Sequence, residues 1–152
     1  MILGIDPGLA NLGWAVMDVD ELVEYGCIKT KVGLKTEVRL EDIYRQVKIL
    51  IKKYKVDGLV IESLYFAKNA KSVIKVAEVM GVIKLCAKKC GVEVDEFTPL
   101  QIKVALTGYG RASKEQVEDM VKRLLGRKET IQPDHASDAV AVAMTRERYN
   151  RL

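Results

Sequence analysis

Asp6, Glu62, His135 and Asp138 are the side chains whose types and positions suggest chemistry. Asp6 is the only charge among the first seventeen residues, and it closes the apolar run "ILGI" just before Pro7 and Gly8. Glu62 closes a second such run, "GLVI". In open α/β sheets ligands gather at the carboxyl ends of strands, so neighbouring strands that end this way bring two carboxylates to one rim. Unpaired anions there repel and raise each other's pKa. A divalent cation relieves that repulsion, and oxygen ligands favour Mg²⁺ or Mn²⁺.

"PDHASDA" adds His135 and Asp138, which at i, i+3 share one face of a helix's first turn. The dipole at a helix N-terminus disfavours an imidazolium, and a neutral ring suits metal ligation or water activation. Asp134 follows Pro133 and reads as the N-cap of this helix, although it also lies four residues before Asp138. Plainer roles exist. Asp6 bonds the amides of its own turn in one, Glu62 is a solvated strand end, and His135 is filler. Asp138 sits among Ala136, Ala139, Val140 and Ala143, and is the hardest to explain that way.

Convergence of these residues requires elements in a definite order. Residues 2–5 and 12–19 read as strands joined by the Pro-Gly turn, with a third at 22–29, and their short connections predict an antiparallel meander. "TEVRLEDIYRQVKILIKKYK" has Leu40, Ile43, Val47, Leu50 and Ile51 at helical spacing, with Thr36 as its cap. "GLVIES" reads as a strand buried on both faces. "AKSVIKVAEVMGVIKLCAKKCG" is the longest helix, apolar over more than one stripe; it is either central in the core or faces another subunit. "VEVDEF" is a fifth strand, Pro99 opens a short helix, Ser113 to Gly126 forms another, and the last runs from Asp134. The pattern predicts a single α/β domain over 1–152: a five-stranded mixed sheet, three antiparallel strands then parallel ones, with helices on both faces.

Composition narrows the classes. The 152 residues carry 25 basic and 21 acidic side chains, a net charge of +4, which permits an anionic partner without demanding one. No apolar run reaches the roughly 18 residues of a membrane span, and no targeting segment precedes the first strand, so the cytoplasm is expected. Cys27, Cys86 and Cys90 form no C-x-x-C pair; Cys86 and Cys90 are expected to be core thiols rather than a disulfide or zinc site.

Four stretches in order, "GIDPGLANLGWAV", "ESLYFAKNAKSVIKVAEVMG", "PLQIKVALTGYGRASKEQVEDMV" and "HASDAVAVA", resemble the RuvC family of Holliday-junction resolvases over nearly the whole chain. The resemblance implies an RNase H-like fold and a Mg²⁺-dependent crossover junction endodeoxyribonuclease. Such an enzyme resolves four-way DNA junctions in recombination and repair by paired symmetric nicks through two-metal-ion hydrolysis. It implies a site of Asp6, Glu62, His135 and Asp138, all four catalytic and metal-binding. Two Mg²⁺ ions are expected there, with Mn²⁺ as a substitute and Asp6 between them. Many relatives have aspartate at the His135 position, so His135 is either a ligand or a base. Tyr65 and Phe66, Lys68 and Asn69 of "AKNAK", Lys103, and Arg111 and Lys114 of "YGRASK" are the implied DNA contacts, a mix of stacking groups and cations suited to separated strands.

Paired nicks need two sites related by a two-fold axis, which predicts a homodimer, with the helix near 70–90 as interface. Branch-migration proteins RuvA and RuvB are the further partners implied. Rival readings are another RNase H-like nuclease acting on RNA, a junction-binding module without catalysis, and an actin-like ATPase. The last needs two such domains and a second phosphate loop, more than 152 residues can hold.

Overall fold

The computed structural model describes residues 1–64 and 70–149. Strands β1 (Ile2–Asp6), β2 (Asn11–Asp18), β3 (Glu21–Lys29), β4 (Gly58–Glu62) and β5 (Glu93–Phe97) form one sheet in the order β3-β2-β1-β4-β5. The first three are antiparallel, whereas β4 runs parallel to both β1 and β5. Short turns suffice for the meander. The parallel neighbours need longer crossovers, which α1 (Thr36–Lys53) and α2 (Ala70–Lys89) supply. The expected mixed sheet is therefore present.

Alternation along the strands divides the interior into two cores. Leu3, Ile5, Leu59 and Ile61 pack with α1 and α2 on one face. Ile2 and Val60 pack on the other with α3 (Pro99–Thr107), α4 (Lys114–Leu124) and α5 (Asp134–Tyr149). Full burial of each such aliphatic side chain contributes about 1.5–3 kcal/mol. Both central strands are thus buried on both sides, as their unbroken apolar runs require. The same period of two, carried one step further, sets Asp6 in phase with Ile2 and Glu62 in phase with Val60. Both carboxylates leave the sheet on the α5 side.

Local sequence sets most helix starts. Thr98 caps α3 and Ser113 caps α4, each in a reciprocal box with the glutamine three residues on, Gln101 and Gln116. Two expected caps are corrected. Thr36 is already the first residue of α1; Lys35 holds the cap position without a side-chain bond, because its carbonyl accepts from Arg39 N–H. Asp134 is likewise inside α5, since the Pro133 carbonyl accepts from the amides of Ala136 and Ser137. Helical bonding begins one residue earlier than the sequence suggested in both places.

On α2, Val79, Met80, Ile83, Cys86 and Ala87 are buried, and half-buried Cys90 packs against the same cluster, so both cysteines are core thiols. Ile74 and Leu85 remain 60% and 53% exposed, with Ala77 and Gly81 exposed between them. The second apolar stripe of this helix is therefore bare. Among the described residues no helix is long and apolar enough to cross a membrane.

Helix α5 lies unusually close to the sheet because small residues meet there. A Cβ on Gly4 would collide with the Ala139 carbonyl and the Ala143 methyl, and one on Gly13 with the His135 carbonyl. Near the far end of the helix, a Cβ on Gly58 would strike the Arg146 guanidinium, which pairs with Asp95 at 2.9 Å. Gly4→Ala is expected to lift α5 and destabilise the fold by about 1–3 kcal/mol, as overpacked cores do, read as a lower midpoint in thermal or urea unfolding.

Candidate active site

The sheet delivers Asp6 and Glu62 as the terminal residues of the adjacent parallel strands β1 and β4. Helix α5 delivers His135 and Asp138 from its first turn and a half. The close contact at Gly13 holds the start of that helix, with His135, against β2. His135 Nδ1 lies 2.7 Å from Asp6 Oδ2. An ionised carboxylate only accepts, so in this bond Nδ1 carries the hydrogen and a neutral ring leaves its lone pair on Nε2.

Lysines complete the rim. Lys114 Nζ, on the first residue of α4, lies 3.1 Å from Asp138 Oδ2 and 3.8 Å from Asp134 Oδ2. Lys103 of α3 lines the same cleft as Glu62, Lys114 and Asp138. The ionisation of the acids records their mutual proximity. Glu62 is pushed up to about 7, first by burial and then by the charges of Asp6 and Asp138, with Lys103 and Lys114 opposing. Asp6 is also raised, chiefly by burial and further by Asp138, against the pull of His135 and Lys114.

The structure therefore gathers Asp6, Glu62, His135, Asp138, Lys103 and Lys114 at one end of the sheet, on one face. Arg111 is exposed on the α3–α4 loop. Tyr65, Phe66, Lys68 and Asn69 lie outside the described residues. Sequence reading missed the link from Lys114 to Asp134 and Asp138; its only trace was the i, i+4 spacing of the two acids. At Gly4 and Gly13 nothing in the local sequence reveals that a helix packs against them.

The donor set fits hard divalent cations, because three carboxylates and an imidazole crowd one place and two of the acids resist ionising together. Among the described residues, however, no three of His, Cys, Asp or Glu are yet grouped so as to hold a metal ion. Asp6 is turned to His135, and Asp138 to Lys114.

Glu62 also links the site to stability. Its folded pKa exceeds the ordinary 4.5, so its contribution is fully present below that value and lost as pH rises toward about 7. In chelator, the melting temperature is expected to fall across that window, and Glu62→Gln should flatten the fall. A slope unchanged in the variant would show that Glu62 is not strained by its neighbours.

Comparison with known proteins agrees with this architecture. The sequence model of crossover junction endodeoxyribonuclease RuvC matches residues 2–146. The chain is 43% identical over 148 residues to the enzyme of that name from Fusobacterium nucleatum subsp. nucleatum, covering 95% of this chain and 78% of the relative. The Thermus thermophilus RuvC structure, an RNase H-like fold, superposes with a TM-score of 0.92 at 32% identity, covering 99% of this chain and 95% of that one. The same Thermus protein in complex with Holliday junction substrate superposes at 0.89 with 31% identity, covering 99% and 94%. This chain belongs to the RuvC family of crossover junction endodeoxyribonucleases.

Proposed function

We propose that Asp6, Glu62, Asp138 and His135 form the active site with which this crossover junction endodeoxyribonuclease nicks four-way DNA junctions, residues 1–152 working as one nuclease domain. The observation that carries the reading is the meeting of three acids from β1, β4 and α5 at one rim, where burial first and then the charges of Asp6 and Asp138 push Glu62 up to about 7. A lone structural carboxylate has no reason to sit among two others.

Asp6, Glu62 and Asp138 would hold Mg²⁺, two ions per site in this reading, with Mn²⁺ as a substitute. Bound cations of this kind supply charge neutralisation at the attacking and leaving oxygens of an in-line phosphodiester displacement. The protein's own groups do the rest. Asp6 orients the His135 ring through Nδ1, so Nε2 is the atom offered to a water or a cation. Lys103 and Lys114 add positive charge for the DNA backbone, and Arg111 extends it along the α3–α4 loop. Phosphate contacts of this kind fix register without reading sequence.

Paired nicks need a second copy of the site, and a two-fold homodimer supplies it. The bare stripe of Ile74, Ala77, Gly81 and Leu85 on α2 is the surface suited to self-association; Gly81 and Ala77 let a second helix approach closely. RuvA and RuvB as partners rest on family membership, and a cytoplasmic location rests on the DNA substrate.

Asp6→Asn is expected to lower Mg²⁺-dependent cleavage of a synthetic mobile junction by about 10²–10³-fold, the scale on which a single catalytic electrostatic group acts, while junction binding in a gel-shift assay stays within a few-fold. Undiminished cutting would reject the site. Linear duplex and RNA–DNA hybrid controls separate this reading from a nuclease acting on RNA. For the dimer, Leu85→Lys should shift the sedimentation coefficient from dimer to monomer at micromolar protein; a monomeric parent chain in the same run, with junction present, would dismiss the interface.

A further inference from the structure

The acids of the rim do not form an open bowl of negative charge. Lys114 opens α4, where the Ser113–Gln116 capping box fixes the backbone, and its side chain is 47% exposed. From there the ammonium reaches across to α5 and lies between Asp138, at 3.1 Å, and Asp134, at 3.8 Å. The two aspartates are one turn apart, so both present their carboxylates to the same cation. Asp134 is not spent on capping its own helix, which frees it for this pair.

The consequence is that Asp138 already has a counter-ion. An ammonium and a divalent ion cannot both sit against one carboxylate without strong repulsion. A lysine on a flexible four-carbon stem can leave at small cost, and here it is half exposed, so solvent receives it readily. Lys103 lines the same cleft and, like Lys114, acts on Glu62 through space, lowering its pKa.

We infer that Lys114 is the site's resident counter-cation: its ammonium holds Asp138 and Asp134 in the metal-free protein, yields Asp138 when a divalent cation loads, and is thereby released to a DNA phosphate. The inference deepens the proposed metal-dependent nuclease and rests on that reading. It makes Lys114 a positioning residue that couples two binding events, because the metal frees the cation that the substrate needs. By linkage, phosphate held by Lys114 favours metal at Asp138 in return.

The test is calorimetric titration of Mn²⁺ into the protein without DNA, for the parent chain, Lys114→Met, Lys114→Gln and Lys103→Met. Removing the competing cation should tighten Mn²⁺ binding roughly tenfold in both Lys114 variants, the direction set by unscreened like-charge repulsion, with a smaller change in Lys103→Met. Unchanged or weaker Mn²⁺ binding in the Lys114 variants overturns the inference but leaves the metal site standing. No Mn²⁺ binding by the parent chain overturns both. A second readout is the salt dependence of junction binding in Ca²⁺ against chelator. The parent slope should steepen with Ca²⁺ by about 0.9, one phosphate contact, and the Lys114→Met slope should not. An equal change in the two proteins refutes the release of Lys114 to phosphate.

Discussion

Three carboxylates crowded at one edge of a sheet repel one another, and the surrounding structure is organised around tolerating that repulsion. Glu62 tolerates it by resisting ionisation, held up to about 7 by its burial first and by Asp6 and Asp138 after that. Asp6 shares its charge with the His135 ring at 2.7 Å, and Asp138 shares its charge with Lys114 at 3.1 Å. None of these arrangements removes the conflict, because each acid is answered separately. In the proposed reading a divalent cation answers all of them together, so that the strain reads as readiness for metal and not as a defect.

Bringing the acids together is a packing problem before it is an electrostatic one. Strand ends are rigid, so Asp6 and Glu62 are fixed by the ladder between β1 and β4. Helix α5 has no such ladder. Its distance from the sheet is set by what lies between, and at Gly4 and Gly13 almost nothing does. Two hydrogens in place of side chains bring the start of α5 close enough for an imidazole to meet a carboxylate. Small residues on the helix, Ala136, Ala139 and Ala143, complete the fit and are fully or almost fully buried. The composition of this helix reflects proximity to the sheet more than helix propensity.

Much of this was legible in the sequence, for physical reasons that differ by element. Apolar runs ending in single acids marked β1 and β4, because a strand buried on both faces tolerates a charge only at its end. Pro99 and Ser113 announced α3 and α4, because a proline at the first helical position and a cap three residues from its partner are both local signals. The caps at Thr36 and Asp134 misled for the converse reason: the preceding residue's carbonyl had already begun the helix, and no side-chain preference reports where a loop delivers the chain. Nor could spacing show that Lys114 would reach Asp134 and Asp138, since those residues are joined only through the packing of α4 on α5. The site's acids were readable; their counter-ions were not.

The two faces of the sheet have separate duties, and this follows from the phase of the strands. Asp6 and Glu62 emerge on the face covered by α3, α4 and α5, so the cationic residues Lys103, Arg111 and Lys114 stand on the same side as the proposed chemistry. Helix α2 packs on the opposite face with α1, and its bare stripe at Ile74 and Leu85 points away from that core. In the proposed arrangement, DNA approaching over α3 and α4 therefore need not displace a second copy seated on α2. A shift of one residue in either β1 or β4 would turn its acid toward α1 and α2, set it in an apolar core without a lysine or histidine to answer it, and leave the other acid alone at the rim. Strand register is thus the constraint that allows one small sheet to carry both the proposed cutting edge and, on the other side, the bare apolar stripe of α2.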